Sequence, residues 1–221
     1  IGYANGATIQ NIGVAGGSIT GKSYVGGLVG FNINDSTINK AYATGKVAGQ
    51  SSVGGLVGYN YNSTINNSYW NTETSGQTTS AGGAGRTTSQ MFDKNNFTGF
   101  DFTNTWGNGD NQTTPYLTNL TGNQVFNKND IPTGIISPTN TPKLYTAVLN
   151  INQLQNINQN LANNYVLGNN IDATATASWN NGQGFTPIGN DYNRFTGKLD
   201  GLGHSVNNLT INRPSTDYVG L

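Results

Sequence analysis

Ten acidic and ten basic residues hold all the ionic chemistry of this 221-residue chain, and their spacing decides what they can do. The acids stand apart, at Asp35, Glu73, Asp93, Asp101, Asp110, Asp130, Asp172, Asp191, Asp200 and Asp217. Cutting a polysaccharide needs clustered carboxylates, often with a calcium ion and a basic residue over the cleft. The nearest approach to such a cluster is Asp191, Arg194, Lys198, Asp200 and His204. Asp200-Gly201 with Gly203-His204 has the composition of a tight turn, however. His204 is the only histidine, so histidines cannot gather around a metal within this chain. Gly82-Gly83-Ala84-Gly85 is dense enough in glycine for a phosphate cradle, but neither the Lys-Ser/Thr pair nor the strand-to-helix setting follows it. The Gly-Gly-x-Gly-x-Asp calcium repeat is absent as well. These residues therefore predict no catalytic residue, no metal ligand and no cofactor, and a protein that is not an enzyme.

What does recur is apolar and small. Val25-Gly26-Gly27-Leu28-Val29-Gly30 returns as Val53-Gly54-Gly55-Leu56-Val57-Gly58, followed by Ser36-Thr37-Ile38-Asn39 and then Ser63-Thr64-Ile65-Asn66. Ile1, Val29 and Val57 mark a period of 28 residues, and Tyr218-Val219-Gly220-Leu221 opens a further copy with one Gly missing. Such a period signals stacked repeats. Val and Ile alternating with small or polar residues suit short strands with one buried face, and the glycines supply turns. One unit is too poor in apolar residues to close a core, so equivalent strands must pile up and cover one another. The trios Ile9/Ile38/Ile65 and Ile12/Ala41/Ser68 are the expected columns. Asn39 and Asn66, with Gln10 in the first copy, are expected at turns, either as stacked amides or simply as turn formers. Trp70 aligns with Val14 and Ala43 and is expected to fill the core, with an exposed sugar-stacking face as the alternative. The fold class expected is all-β, a right-handed parallel β-helix with loop and aromatic excursions and a short helix.

The pattern Val-Gly-Gly-Leu-Val-Gly-Phe/Tyr-Asn, with Ser/Ala-Thr-Ile following, resembles the GLUG motif of very large secreted bacterial proteins, many of them filamentous-haemagglutinin-like adhesins of Gram-negative bacteria. The Met91…Phe100-Asp101-Phe102…Trp106…Pro115-Tyr116-Leu117 stretch resembles the segment that closes such arrays. The stretch from Leu154 to Leu221 resembles the segment that introduces them. The resemblance implies a two-partner type of secretion, and virulence and cell adhesion as the setting.

Composition agrees with a turn-rich β protein. Only 9% of residues are charged and mean hydropathy is −0.45, so the polarity is neutral rather than ionic. Net charge is zero without a run of either sign, which argues against nucleic acid and against anionic lipid surfaces. Without an apolar run near 20 residues, no membrane insertion is expected. Cysteine is absent, as suits a passenger exported unfolded, although a cytosolic chain can lack it by chance. The start at Ile1, without Met or signal peptide, predicts an internal piece of something longer.

Along the chain, residues 1–70 read as a first array. Residues 71–120 read as a loop excursion (71–88) followed by an aromatic closing segment (89–120), in which Ser89 caps a short helix and Phe100 and Phe102 alternate as on a strand. That segment is expected to plug or buttress one end of the array, with an aromatic carbohydrate groove as a secondary reading. Residues 121–145, with Pro132, Pro138 and Pro142, read as a connector. Residues 146–221 read as the start of a second array, with a helix over Ile151, Leu154, Ile157 and Leu161. Asn-x-Ser/Thr triplets at Asn34, Asn62, Asn66, Asn96, Asn111, Asn119 and Asn208 could accept glycans.

Together these readings predict a segment of an adhesin located outside the cell or on the bacterial surface. Its partners would be a host-cell or matrix glycan or protein and an outer-membrane secretion partner. A passive stalk of a contact-dependent toxin is the alternative, and a carbohydrate-active enzyme ranks third. No binding residue is singled out.

Overall fold

The computed structural model describes residues 1–221, which fall into two compact units: residues 1–119 with 125–144, and residues 120–124 with 145–221. The chain is all-β in class, with twenty short strands against two α-helical turns and five 3-10 segments. Its sheets are small and open, of two to five strands.

The first unit is laid down as a repeated set of four strands. Strands β1 (Tyr3–Asn5), β2 (Thr8–Val14), β3 (Ser18–Thr20) and β4 (Ser23–Gly26) come first. The set returns as β5 (Val29–Ile33), β6 (Thr37–Ala43), β7 (Lys46–Ala48) and β8 (Ser51–Gly54), and begins again as β9 (Val57–Tyr61), β10 (Thr64–Asn66) and β11 (Tyr69–Asn71). Each strand pairs in parallel with its counterpart one copy on. Tyr3 meets Phe31 and Phe31 meets Tyr59, while Ile9 meets Ile38 and Ile38 meets Ile65. Ile19 meets Val47, and Val25 meets Val53. The sequence period and the hydrogen-bond register are therefore one and the same.

The shared interior follows from that register. Val29, Ile38, Ala41, Leu56 and Val57 are fully buried, joined by Ala4, Ile9, Leu28, Ala43 and Trp70. Each buried Val, Leu or Ile contributes about 1.5–3 kcal/mol, and the neighbouring copy supplies the cover. In the second expected column Ile12 faces Ala41, but Ser68 serves by its hydroxyl, which accepts from the Ala41 amide at 3.2 Å. Trp70 stands opposite Ala43 as aligned and is buried, its indole N–H donating to the Gln77 carbonyl at 3.0 Å. The alternative of an exposed sugar-stacking indole is thereby overturned.

The amides bear out one part of the expectation, since Asn39 Oδ1 accepts from Asn67 Nδ2 of the next copy at 3.3 Å, but not the position of the turn. Asn39 and Asn66 pair within strands, and the corners fall one residue later, at Asn11, Lys40 and Asn67, all with positive φ of 44–53°. A second corner recurs at Gly6, Asn34 and Asn62, and a third at Tyr24 and Ser52. Tyr218 has φ 58° against 55° for Tyr24, so the partial copy at 218–221 opens on the same left-handed residue, although it forms no strand. The buried amide contact belongs to Asn32 and Asn60, with Asn32 Nδ2 donating to Asn60 Oδ1 at 2.7 Å. Ala4 holds the same place in the first copy, and Asn32 Oδ1 has no donor.

The repeat continues beyond Asn71. That side chain caps α1 (Thr72–Ser75), accepting from the amides of Glu73 and Thr74. The chain then returns to the pile. Ser80 Oγ accepts from the Leu56 and Val57 amides, and β12 (Ala84–Arg86) pairs in parallel with β11. Part of the stretch read as loop thus adds strand to the same sheet.

The aromatic segment packs Met91, Phe97, Phe100 and Trp106 against Tyr42 and Tyr69 in one buried cluster. Phe100 lies 4.5 Å from Trp106 and 5.2 Å from Phe97, centroid to centroid. The rings pack edge-on or tilted against one another. Two local readings fail. Ser89 makes no cap, and the helix breaks into two 3-10 turns, Gln90–Phe92 and Lys94–Asn96. Phe100 and Phe102 lie on no strand, because Asp101 Oδ1 accepts from the amides of Thr103 and Asn104 and turns the chain. Strands β13 (Trp106–Gly107) and β14 (Tyr116–Leu117) form an antiparallel hairpin pair, and Phe126 in β15 (Gln124–Phe126) exchanges hydrogen bonds with Thr114.

Burial pushes the hydroxyl of Tyr42 well above the usual phenol range, and that of Tyr116 upward too. A raised folded value means the unfolded chain loses its phenol protons first. Stability should therefore fall as pH rises past the ordinary phenol value near 10. Tyr42→Phe is expected to flatten that alkaline loss in denaturation midpoints measured from pH 8 to 11.

The second unit repeats the principle with unequal rungs. Strands β16 (Leu144–Val148), β17 (Tyr165–Leu167) and β19 (Leu199–Asp200) pair in parallel, as do β18 (Ile171–Asp172) and β20 (Val206–Asn207). The expected helix is present as α2 (Ile151–Gln155) running into a 3-10 turn, with Ile151, Leu154 and Ile157 buried beside Phe185.

Candidate functional site

The outer face of β1, β5 and β9 carries the most exposed aromatic column of the first unit. Tyr3 and Phe31 stack at 5.2 Å and Phe31 and Tyr59 at 4.9 Å, with planes 11–12° apart. Tyr24 packs edge-on against Phe31 and Tyr59. Because the ring faces cover one another, a flat ligand meets mostly edges and hydroxyls, and the column serves the fold. Each such pair contributes about 0.5–1.5 kcal/mol beyond its area. Phe31→Ala, which breaks three of them, is expected to lower stability by about 2–3 kcal/mol in urea denaturation.

The residues singled out for chemistry do not form a constellation. Asp191 and Arg194 form an exposed ion pair at 2.8 Å. Asp200 Oδ1 accepts from the Leu202 amide, and the His204 amide donates to the Gly201 carbonyl, as a tight turn requires. His204 Nε2 is buried without a partner. No three carboxylate or imidazole groups converge. Asp172 is held below the usual carboxylate range by the Thr174 hydroxyl and amide and by Asn208, which is turn geometry rather than a site.

The second unit contains an open groove of about 890 Å³. One wall comes from α2 and the turn after it, the other from the loop over residues 186–193. Gln155 and Asn158 clamp that loop: Gln155 exchanges two hydrogen bonds with Thr186, and Asn158 donates to the Pro187 carbonyl and accepts from the Gly189 amide. Arg213 lies along the groove, donating to the Phe185 carbonyl, Gln183 Oε1 and Thr186 Oγ1 at 3.1–3.4 Å. Asp217 and Tyr218 complete the rim, and a smaller hollow of about 450 Å³ shares Tyr218, Gly189 and Asn190. Its size suits a small-molecule or oligomer site. No single stretch of sequence signals it, since residues 155–161, 186–193 and 213–218 meet only through the rungs. The nearest sequence signal is Tyr218, at the start of the partial repeat.

Comparison with known proteins bears on the repeat. A 97-residue stretch is 41% identical to Halomucin of Haloquadratum walsbyi, covering 40% of this chain and 1% of that protein. This chain thus spans about 1% of the length of the curated relative it matches. No solved structure matches. The family model of the GLUG motif matches residues 21–48 and 49–69, the same two copies whose strands pair in register, and residues 21–69 are a GLUG repeat region.

Proposed function

We propose that this chain is a stalk segment of a large secreted or surface-exposed adhesin. The repeats would wind as a right-handed parallel β-helix, and the loops would touch the host cell or matrix. The observation that carries this reading is the match between the 28-residue sequence period and the parallel register, Tyr3 to Phe31 to Tyr59. A fold whose units cover one another in a line can be lengthened without limit, which suits a spacer. The likeness to a stretch of Halomucin supports a place in a very long protein. In this reading the parent is filamentous-haemagglutinin-like and passes through an outer-membrane partner, and the absence of cysteine supports such export. Nucleic acid and membrane insertion have no part in it. No helix is long and apolar enough to cross a membrane.

The chain catalyses nothing in this proposal, and release of unsaturated product from a panel of polysaccharides would contradict that. The adhesive role is tested by binding the purified chain to host cells. Saturable binding, blocked by excess free chain, is the expected result. Binding at background level would leave a passive stalk instead.

A further inference from the structure

The geometry points to the groove of the second unit as a saccharide site that prefers a sugar bearing a carboxylate. This rests on the adhesive reading and gives it a location and a ligand class. Arginine has five N–H donors, and Arg213 directs one from each of its three nitrogens to oxygens of the fold, which fixes the guanidinium along the groove. No carboxylate of the chain forms an ion pair with it; its partners are a carbonyl, an amide oxygen and a hydroxyl. A held, half-buried guanidinium with donors to spare recognises a carboxylate by charge-assisted hydrogen bonds.

The rest of the lining suits a sugar ring rather than a bare anion. Asn156, Gln159 and Asn193 present side-chain amides that the fold leaves unused, able to donate to and accept from hydroxyls. Tyr218 lies on the rim and supplies an aromatic ring of the kind that packs against a pyranose. Leu161 and Pro187 add apolar surface. Asp217 is the one acid in the lining and opposes the ligand's charge.

The test titrates the 221-residue chain with tetragalacturonate and a hyaluronan tetrasaccharide, with neutral tetragalactose and inorganic sulfate in parallel, by calorimetry and amide chemical shifts. Saturable binding of an acidic tetrasaccharide is expected, about tenfold tighter than the neutral one. Shifts should centre on residues 155–161, 186–193 and 213–218. Arg213→Gln frees the loop it ties down, so the decisive variants are milder. Tyr218→Ala should weaken binding about tenfold at an unchanged unfolding midpoint, and Asp217→Asn should tighten the acidic sugar alone. Equal affinity for acidic and neutral sugars, shifts elsewhere, sulfate competing at equal concentration, or no heat from either acidic sugar would each overturn the inference. A chain that adheres to cells yet ignores both acidic sugars refutes the groove and leaves adhesion standing. One that binds them but not cells does the reverse.

Discussion

Gly54→Ala is expected to cost about 3 kcal/mol or more, a large part of the stability of a domain this size. A Cβ on Gly54 would lie 2.0 Å from the Val57 carbonyl oxygen and 2.9 Å from Ser80 Cα, and one on Gly26 would lie 2.1 Å from the Val29 oxygen. The same collision in both copies explains the first glycine of the Gly-Gly pair: the corner after β4 and β8 brings the chain back within contact of itself. The obstacle is backbone, which cannot swing aside. Gly2→Ala is the control, since nothing lies within 4 Å of its added carbon. Urea unfolding should show the first midpoint far lower and the second within about 0.5 kcal/mol of the parent. Equal midpoints would show that the corner is wrongly drawn.

Trp106→Ala should cost about 3–5 kcal/mol, the range for removing a buried aromatic side chain. The ring is 1% exposed and lies 6.1 Å from Tyr42, which itself packs over Gly13 of β2. The aromatic segment thus closes the side of the first unit, and loss of Trp106 opens a cavity beneath the repeat itself. Trp106 Nε1 has no acceptor. Trp106→Phe, which discards that unsatisfied donor while keeping a ring, should therefore cost much less than the alanine variant. Near-UV circular dichroism and denaturant midpoints of the pair decide it. Similar losses for both would mean that the indole is held by something other than packing.

These two sites also show where the sequence was readable. The Ile9/Ile38/Ile65 column and the Trp70 alignment were legible because a repeated letter at a repeated offset must meet its twin if the strands pair in register. The corners were missed by one residue. Asn39 and Asn66 look like turn formers, but Lys40 is the residue that turns, and lysine carries no turn signal. The aromatic segment was legible as a closing element through its resemblance, but it packs along the side of the repeat on Tyr42 and Tyr69 rather than at one end. Its path depends on the Asp101 side chain accepting from the Thr103 and Asn104 amides. Strand β12 was hidden in a glycine-rich run because its register is set by β11, not by its own residues. The groove was invisible for a similar reason: its rungs are of unequal length, so no fixed offset ties Gln155 to Thr186 or to Arg213.

A cross-link between successive copies tests the stacked register most directly. Ser23 and Ser51 are paired on β4 and β8, with hydroxyl oxygens 2.7 Å apart at the surface, and the chain has no cysteine of its own. The double variant Ser23→Cys/Ser51→Cys should form an intramolecular disulfide under mild oxidation, while Ser23→Cys/Thr64→Cys, which places the second thiol on β10 in a different sheet, should not. Near-complete closure of the first pair alone is the expected result. Failure of that pair to close, or equal closure of both, would contradict the in-register stack.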